Sequence, residues 1–586
     1  MPPLAPPLSG QRLQTLIQVA QGRAQPDWVI RGPRIFNVFT GDFSVGELAI
    51  WEDRIAGVAP VGSFQGSRVL ETEGFLVPGF IDSHLHIESS MASPQALAPL
   101  LLENGVTAAV ADPHEIVNVA GTRGLDYFLA AADLASLDYF LTLPSCVPAT
   151  SLERGGAEVQ AADLRPYFGH PRVVGLGEMM NYPGVLTGAA EVLAKLSLAL
   201  SQGSLIDGHA PQVSGLQLGA YRAAGISSDH EAATAQEGRE RLEMGFWLMI
   251  REGTAARNLK SLWPAVTQKN ARFCLLATDD RHARDLVQEG SVNHLVRLAQ
   301  SLTPDWLPEI LSMATLNAAQ RLGLSDRGAL APGYLADLAL YEDLASWVPR
   351  KVWKNGRLVV DGEYLAPRTP SPAPPGEAEL SSGLRLAPLS LESLKVPATG
   401  SRVRVIGLTP GQLVTESLTL AWPAQAGFFE ANPELGVVKM ATWNRYGGDG
   451  RAQVGFLKGL GLRRGALAQS VSHDSHHLVA AGVADEDILL AAQAVIDLGG
   501  GLALALEGQV ISSLALPLGG LMSHAPVREI ARALAEMAIQ GGRLGLPPDL
   551  DPFLSLGFMS LPVIPKLKLT VAGLIEDFQV VGLVLP

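Results

Sequence analysis

Two histidines one residue apart, His84 and His86, stand at the end of an apolar run in GFIDSHLHIESSM (79–91). Side chains two positions apart on a β-strand point to the same face, so both imidazoles are expected to face the same way. Neutral imidazole is a common metal ligand, and two on one face can chelate a single ion. For an isolated pair, a surface or strand-capping role explains the spacing equally well.

Further histidine, glutamate and aspartate residues end later apolar runs of the same kind. The candidate metal ligands are, in chain order, His84, His86, Glu178, His209, His230 and Asp279. These imidazole and carboxylate donors suit two divalent cations, with Glu178 as the bridge. Two such ions can share one water, lower its pKa and hold it as hydroxide near neutral pH. A glutamate in an apolar run needs such a role, because a buried unpaired carboxylate is costly.

Eight apolar runs must position these side chains. They are FLVPGFIDSHLH, VTAAVADPHE, YFLTLPSCVP, VVGLGEMMN, SLIDGHAP, AGISSDHE, FWLMIREG and RFCLLATDD. Each run is followed by a helical stretch, which indicates parallel strands buried on both faces. Eight such units predict an α/β fold with a TIM-like (β/α)8 barrel over 78–325, whose active site lies at the carboxyl ends of the strands.

The predicted barrel interrupts a region of short strands. Residues 28–77 and 326–365 are expected to form one small β-sandwich domain, because both contain short apolar segments separated by Gly and Asp turns. Residues 1–27 are predicted to contain a Pro-rich tail and a helix in QRLQTLIQVAQG, and WLPEILSMATLNAAQRLG is predicted to be one helix. A Pro-rich linker over 366–385 precedes an additional C-terminal α/β domain over 386–586.

Composition limits the class of protein. The chain has 586 residues, which is too long for one compact domain, and its net charge of −14 argues against a nucleic-acid or anionic-membrane partner. Its two cysteines, Cys146 and Cys274, cannot form a disulfide framework or a C-x-x-C zinc site, which favours a reducing cytoplasm. No signal peptide or membrane span is predicted. We expect a cytoplasmic homo-oligomer that acts on a small molecule.

The ligand pattern over about 28–365 resembles the amidohydrolase superfamily. Many of its binuclear members bridge their metals with a carboxylated lysine on strand four, and Glu178 takes that place here. Longer motifs, among them DPHEIVNV, GLGEMMNYPGV, LMIREGTAARNL and the C-terminal GALAQSVSHDSHHLVAAG, are similar to those of the bacterial adenine deaminases. This resemblance implies hydrolysis of adenine to hypoxanthine and ammonia, a purine salvage reaction. It also implies two Mn²⁺ or Fe²⁺ ions, and the ligands accept Zn²⁺ as well.

The resemblance assigns roles to the ligands. One ion would be held by His84, His86 and Asp279, the other by His209 and His230, with Glu178 between them. A metal-bound hydroxide would attack C6 of the purine, and Asp279 would carry the proton. Asp279 is preferred to Asp280 as the ligand because it is the first acid after the apolar run.

Other polar residues at the ends of the runs are candidates for the site. Glu231, next to His230, is expected to protonate a ring nitrogen or to orient a ligand, unless it is a solvated loop carboxylate. His114 is a further catalytic candidate, and Arg251 and Glu252 are weaker ones. Contacts with substrate or support of the ligands are predicted for Glu88, Glu115, Asp280, His473, Asp474 and His476.

Three of these residues, His473, Asp474 and His476, lie outside the barrel in VSHDSHH. Two interpretations are open: a solvated loop, or a C-terminal domain that folds over the barrel mouth and closes the site. Cys146 is predicted to be a packing residue and not a nucleophile.

Other functions fit part of the pattern. The same ligands could open a cyclic amide or deaminate another amino-heterocycle, and a non-catalytic scaffold would be expected to lose ligands. The H-x-E of His86 and Glu88 imitates the zinc nucleoside deaminases, but the P-C-x-x-C that those enzymes need is missing.

Overall fold

The computed structural model describes residues 8–150, 152–254, 256–366, 372–381, 383–409, 414–548, 550–564 and 566–586. Residues 1–7 of the predicted tail, and 367–371 and 382 of the predicted linker, lie outside the described residues. None of the described helices combines the length and the apolar character needed to span a lipid bilayer.

The chain begins with one helix and five strands. The N-terminal helix α1 (Gly10–Ala20) is present as predicted, and the Ser9 side chain accepts a hydrogen bond from Arg12 N at its start. The strands that follow are β1 (Trp28–Asn37), β2 (Asp42–Trp51), β3 (Arg54–Ala59), β4 (Val69–Glu71) and β5 (Phe75–Pro78).

Each of the eight predicted runs contains one strand of the parallel set, and the first run also includes β5. These are β6 (Phe80–Leu85), β7 (Val106–Ala111), β8 (Asp138–Leu143), β9 (Val173–Met179), β10 (Leu205–Gly208), β11 (Ser228–Asp229), β12 (Trp247–Arg251) and β13 (Cys274–Ala277). The helices between and after them are α2 (Pro94–Glu103), α3 (His114–Ala120), α4 (Thr122–Leu134), α5 (Ala161–Leu164), α6 (Tyr182–Thr187), α7 (Ala190–Ser201), α8 (Gly215–Ala223), α9 (Ala235–Glu243), α10 (Leu259–Leu262), α11 (Ala283–Gln288), α12 (Val292–Leu302), α13 (Leu307–Met313) and α14 (Leu316–Arg321).

These eight strands form two parallel sheets. β6 to β10 pair in sequence order, and β11, β12 and β13 form the second sheet. Backbone hydrogen bonds connect their edges: Asp279 N donates to His84 O at 3.0 Å, and Ser227 N donates to Ile206 O at 3.0 Å. All eight carboxyl ends therefore point the same way.

The predicted single helix after the eighth strand is two helices, α13 and α14. The helix stops because the carbonyl of Ala314 accepts a hydrogen bond from Ile81 N of β6 at 2.8 Å. The Thr315 hydroxyl closes the end of α13 by donating to Leu311 O at 2.6 Å. A contact with a distant strand therefore ends a helix that the local sequence would continue.

The next four strands return to the beginning of the chain. They are β14 (Leu338–Tyr341), β15 (Pro349–Lys354), β16 (Arg357–Asp361) and β17 (Glu363–Tyr364). β14 pairs antiparallel with β5, with Leu338 opposite Pro78. The result is one nine-stranded sheet in the order β17-β16-β15-β14-β5-β1-β2-β3, with β4 beside β1.

The C-terminal region begins within the predicted linker, where α15 (Glu377–Leu380) and β18 (Arg385–Leu386) lie. The later elements are β19 (Val396–Pro397), β20 (Arg402–Leu408), β21 (Thr415–Leu420), β22 (Phe428–Phe429), β23 (Val437–Trp443), β24 (Tyr446–Gly448), β25 (Ala452–Lys458), β26 (Ala466–Gln469), β27 (Leu478–Gly482), α16 (Asp485–Asp497), β28 (Gly501–Leu506), β29 (Gln509–Ala515), α17 (Val527–Leu544), α18 (Pro552–Gly557), β30 (Leu567–Thr570), β31 (Gly573–Glu576), β32 (Gln579–Val581) and β33 (Val584–Leu585). Nine of these strands form a second sheet, in the order β21-β20-β25-β23-β27-β26-β28-β29 with β33 beside β20. Most neighbouring strands in it are antiparallel.

The C-terminal region packs against the parallel strands. Ser523 N donates to Met91 O and Ser93 N donates to Ser523 O, both at 2.8 Å. Apolar side chains such as Ile116 and Leu518 are buried in one continuous core that includes both regions. Burial of a shared apolar surface fixes how the C-terminal region sits on the carboxyl ends of the strands.

A buried ionic network joins the first nine-stranded sheet to the parallel strand β8. Lys354 Nζ donates to Asp138 at 2.7 Å and to Asp337 at 2.9 Å, and Arg327 donates to Asp138 at 2.8 Å. All four side chains are buried. Removing one partner would leave an unpaired charge in the apolar interior of the protein, which is costly. The network therefore holds the two sheets in one arrangement.

We expect Lys354→Met to destabilise the protein by about 3–5 kcal/mol, because it leaves two buried carboxylates with too few cations. The control is Lys351→Met on the same strand, whose ion pair with the half-exposed Asp361 is expected to contribute about 0–1 kcal/mol. Thermal unfolding by calorimetry measures both. Equal shifts of the two variants would contradict the role of the network.

Candidate metal centre

His84 and His86 lie where β6 ends, and both imidazoles are buried. Their Nε2 atoms are only 3.2 Å apart. The Nδ1 of His86 is 3.1 Å from the carbonyl oxygen of Asp112, which can only accept, so this nitrogen carries the proton. The Nε2 of His86 is therefore the ring nitrogen that faces its neighbour and is placed to bind a metal.

Asp279 joins this pair from the end of β13. Its Oδ1 lies 3.2 Å from His86 Nε2 and 3.7 Å from His84 Nε2. Its backbone has a φ of 54°, a left-handed turn that brings the carboxylate back toward β6. The neighbouring Asp280 instead accepts a hydrogen bond from the Ser89 hydroxyl at 2.5 Å. Of the two aspartates, Asp279 is the one beside the histidine pair.

Glu178, at the end of β9, lies between the histidines of opposite strands. Its Oε2 is 2.6 Å from His209 Nδ1 and 3.1 Å from His230 Nε2, and its Oε1 is 3.4 Å from His86 Nε2. Burial alone would raise the pKa of this carboxyl, but the adjacent imidazoles bring it well below its usual range. The carboxylate is therefore ionised and shared between two groups of imidazoles.

This set of residues fits divalent cations. Sets of donor atoms that lie within 4.8 Å of one another include His84/His86/Asp279, His84/Glu178/His230 and His209/His230/Glu231. The six side chains offer imidazole nitrogen and carboxylate oxygen, the donors that zinc, manganese and iron accept. Burial, together with the positive charge of neighbouring imidazoles, lowers the pKa of His84 to about 3, so this ring keeps a lone pair for a cation. The structure brings all six predicted ligands together.

Arg251 connects Glu231 to Asp279. Its guanidinium donates to Glu231 Oε2 at 2.9 Å, to Glu231 Oε1, and to Asp279 Oδ2 at 2.7 Å. Burial would raise the pKa of Glu231, but Arg251 lowers it below its usual value. Glu231 is thus a mostly covered carboxylate, 12% exposed, that is ionised and paired with Arg251, and not a solvated loop carboxylate. Glu252 instead accepts from Leu259 N at 3.0 Å, at the start of α10.

A second layer of acids supports the ligands. Asp112 Oδ2 accepts from Glu178 N at 2.9 Å, and its Oδ1 accepts from His114 N at 3.3 Å. The His114 Nδ1 lies 3.4 Å from Glu178 Oε1, so His114 also faces the centre. Glu88 accepts from Ile116 N at 3.1 Å, and burial, reinforced by the nearby negative charge of another glutamate, raises its pKa to about 7.

The segment Ser472–His477 closes the site from the C-terminal region. Its His473 Nδ1 is 2.7 Å from Glu115 Oε1, and His476 Nε2 contacts Glu115 Oε2. The His473 ring stacks on Phe558 with ring centroids 4.4 Å apart and planes at 6°. His473, Asp474 and His476 are all buried. The interpretation of VSHDSHH as a solvated loop is therefore wrong, and the segment covers the carboxyl ends of the parallel strands.

Cys146 packs beside the centre without entering it. Its thiol is buried, 3.8 Å from Met179 Sδ, and burial raises its pKa. A thiol with a raised pKa is a poor nucleophile. The packing role predicted for Cys146 agrees with this environment.

Comparison with known proteins identifies the family. Residues 75–359 match the model of the amidohydrolase family, and 412–579 match that of the adenine deaminase C-terminal domain. Adenine deaminase 2 of Carboxydothermus hydrogenoformans is 46% identical over 566 residues, which cover 96% of this chain and 98% of that protein. The adenine deaminase of Nitratidesulfovibrio vulgaris (strain DP4) is 43% identical over 577 residues, 97% of this chain and 99% of its own. The chain belongs to the adenine deaminase family. The resemblance seen in the sequence is confirmed.

Membership in the adenine deaminase family agrees with the geometry, because amidohydrolases are generally metal-dependent. The sequence pattern gives little indication that two residues, Asp112 and Arg251, lie around the centre. Asp112 is not singled out there, and its only signal is its position directly before Pro113 and His114 at the end of β7. Arg251 ranks low as a candidate because an arginine at a strand end is usually solvated.

The contact between Glu115 and His473 predicts a pH dependence of stability in this adenine deaminase family member. Burial would lower the pKa of His473, but Glu115 raises it from 6.5 to about 9. A raised histidine pKa stabilises the fold fully below pH 6.5, and this stabilisation disappears as the pH rises to about 9. We expect Glu115→Gln to lower the unfolding temperature by roughly 5 °C at pH 6 and by clearly less at pH 9.

The control is Glu103→Gln, which breaks a surface ion pair with Arg528 between the same two regions. Its effect on the unfolding temperature should be the same at both pH values. Calorimetry at pH 6 and pH 9 measures both variants. A Glu115→Gln effect that does not shrink at pH 9 would contradict the ionic role of His473.

Proposed function

We propose that this protein hydrolyses adenine to hypoxanthine and ammonia. The observation that carries the proposal is the match, over nearly the whole chain, to proteins named adenine deaminase. That match includes both the residues of the candidate metal centre and the C-terminal segment that covers it. A shared metal centre alone would fit several hydrolytic reactions, but the shared covering domain points to one substrate class.

The proposed architecture is a (β/α)8 barrel of residues 78–325 with the centre at its carboxyl end. The backbone hydrogen bonds that join the ends of β13 and β6, and of β11 and β10, support closure of the eight strands. A β-sandwich of 28–77 and 326–365, a linker over 366–385 and a C-terminal domain over 386–586 complete the proposed division.

Two divalent cations would bind here, Mn²⁺ or Fe²⁺ in preference to Zn²⁺. They would be held by His84, His86 and Asp279 and by His209 and His230, with Glu178 between them. When bound, such ions lower the pKa of a water and stabilise negative charge that develops on its oxygen. The preference for Mn²⁺ or Fe²⁺ rests on the resemblance to the adenine deaminases, since the mixed nitrogen and oxygen donors accept all three ions.

The chain's own groups would move the protons. Water adds its oxygen to C6 and gives one proton to Asp279, while His114 protonates the ring nitrogen N1. Burial would lower the pKa of His114, but Asp112 raises it well above its usual value, so this imidazole holds a proton to give. Asp279 passes its proton to N6, the C6–N6 bond breaks and ammonia leaves. The remaining proton on the C6 oxygen returns to His114, which leaves hypoxanthine.

Glu231 and Arg251 position Asp279 in this scheme. Because Glu231 is ionised and paired with Arg251, it holds the guanidinium and does not donate a proton. Arg251 in turn fixes Asp279 Oδ2, so that the other carboxylate oxygen faces the histidines.

We also propose a cytoplasmic enzyme without nucleic-acid or membrane partners. The free cysteines Cys146 and Cys274 and the net charge of −14 support this proposal. A homo-oligomer stays a prediction, which light scattering would test.

The central test is release of ammonia and hypoxanthine from adenine. We expect protein reloaded with Mn²⁺ to release both, and protein stripped by a chelator to release neither, because the water is activated by the bound ions. Enzymatic ammonia assay and chromatography of the purine measure this. Two bound metals without ammonia release would refute the proposed substrate, and cyclic amides and other amino-heterocycles would be tried next.

Glu178→Gln tests the proposed bridge. We expect its metal content to fall from two per chain to one or fewer, and its kcat/KM for adenine to fall by more than about 10²-fold, since even outer-layer changes cost 10–100-fold. Metal analysis and steady-state kinetics measure the two effects. The control is Cys146→Ser, beside the same strand end, which should keep both metals and activity within about 3-fold. Full metal content in Glu178→Gln would exclude the bridging role.

A further inference from the structure

The two parallel sheets meet between β10 and β11, the strands that end beside His209 and His230. β10 belongs to one sheet and β11 to the other, so the spacing of the two histidines depends on contacts other than a regular strand ladder. The strands nevertheless approach closely, because a methyl group at Gly208 would lie only 2.3 Å from Ser228 O of β11. The centroids of the two imidazole rings are 5.4 Å apart. Contacts from the helices behind the strands therefore have to hold this spacing.

A buried ion pair makes one such contact. Asp229 directly precedes His230 in the chain. Its carboxylate accepts from Ala210 N at 2.9 Å and from Arg241 Nε at 3.0 Å. Arg241, on α9, also donates from Nη2 to Ala210 O at 2.7 Å. Ala210 directly follows His209, so both polar groups of its backbone are tied to the residue before His230. The side chains of the ion pair are fully buried, so water does not compete for these bonds.

A buried tyrosine connects the next pair of strands, β9 and β10. The Tyr221 hydroxyl, on α8, accepts from His209 N at 2.9 Å and donates to Met179 O at 2.8 Å. Met179 directly follows Glu178 in the chain, so one hydroxyl joins the backbone beside two candidate ligands. Tyr221 is fully buried. The helices α8 and α9 thus each contribute one polar side chain that ties the ends of adjacent strands together.

These contacts serve one half of the proposed centre, the ion assigned to β10 and β11. The ligands of the other ion have different supports. The Nδ1 of His86 lies 3.1 Å from Asp112 O, and Arg251 donates to Asp279 Oδ2 at 2.7 Å. A change in the tyrosine or in the ion pair would therefore loosen the ligands of one ion and leave those of the other in place.

We propose that Tyr221 and Arg241 are positioning residues for the ion bound by His209 and His230, and that they determine whether the centre holds one ion or two. This inference rests on the proposed function, because it uses the two-ion centre described there. Two imidazoles bind one ion tightly only when their spacing is fixed before the ion arrives. Changes in residues that support metal ligands commonly lower metal affinity by about 10–100-fold.

The experiment measures Mn²⁺ binding without adenine, so that its result does not depend on turnover. The full-length, metal-free protein is titrated with Mn²⁺ against a competing chelator. Electron paramagnetic resonance of free Mn²⁺ gives the number of bound ions and the affinity of each. The variants are Tyr221→Phe, which removes one hydroxyl, and Arg241→Met, which removes one guanidinium. Circular dichroism of each metal-free protein checks that it is folded.

Each variant has a matched control at the amino ends of the parallel strands, away from the candidate ligands. Tyr139→Phe removes a buried hydroxyl of β8 that donates to Pro94 O at 3.1 Å. Arg172→Met removes a buried guanidinium directly before β9. That guanidinium donates to Asp133 Oδ1 at 2.6 Å and to Tyr139 O at 3.2 Å, a carboxylate and a carbonyl, as Arg241 does. The controls therefore lose similar hydrogen bonds at a different place.

We expect wild type and both controls to bind two ions with similar affinities. Tyr221→Phe and Arg241→Met should bind one ion as wild type does, and their affinity for the second should fall by about 10-fold and about 100-fold. Equal weakening of both ions would indicate a general disruption of the centre and would overturn the proposal. Two ions bound with wild-type affinity by Tyr221→Phe would also overturn it, and this conservative variant decides the question if Arg241→Met does not fold.

The two proposals fail separately. A selective loss of the second ion in Tyr221→Phe, with no ammonia released from adenine by two-ion wild type, would support the positioning role and refute the proposed function. Ammonia release by wild type, with unchanged Mn²⁺ affinities in Tyr221→Phe, would support the function and overturn the positioning role. Wild type that binds a single ion would overturn the inference whatever its activity.

Discussion

The interaction on which the rest of the structure depends is the burial of the Glu178 carboxylate among histidines from four strands. A lone carboxylate in this place would be neutral or would destabilise the fold. Here imidazoles on both sides keep it ionised, and a backbone N–H bond to Asp112 fixes the chain that carries it. Such an arrangement is stable only if the groups around Glu178 also have partners. Asp112, Glu231 and Arg251 provide these partners.

Position at the carboxyl ends of parallel strands makes this burial possible. The strands provide a rigid, apolar frame, so a side chain that leaves the end of a strand has a fixed direction. Arg251 illustrates the consequence, because one guanidinium from β12 holds Glu231 and Asp279 together. The polar groups of the site compensate one another in charge, while the apolar frame sets the distances between them.

The C-terminal region completes the site and does not merely adjoin it. Its segment Ser472–His477 places two imidazoles on Glu115, which lies in α3, and a carboxylate beside His114. Without this segment Glu115 would lose both imidazole partners, and the candidate metal centre would be open to water. Exclusion of water strengthens every electrostatic contact in the site, which links the covering domain to the chemistry beneath it.

The sequence by itself determined the strands, their order and the types of the six candidate ligands. Runs of buried apolar residues and the acids and histidines at their ends are local features, and each is readable from spacing alone. Tertiary structure decided the rest, because the deciding contacts join residues far apart in the chain. Ile81 ends a predicted helix at Ala314, Arg251 becomes a member of the site, and VSHDSHH is buried on Glu115 although its composition suits a solvated loop equally well. Whether a polar group is solvated or paired depends on what packs over it, and only the folded chain supplies that neighbour.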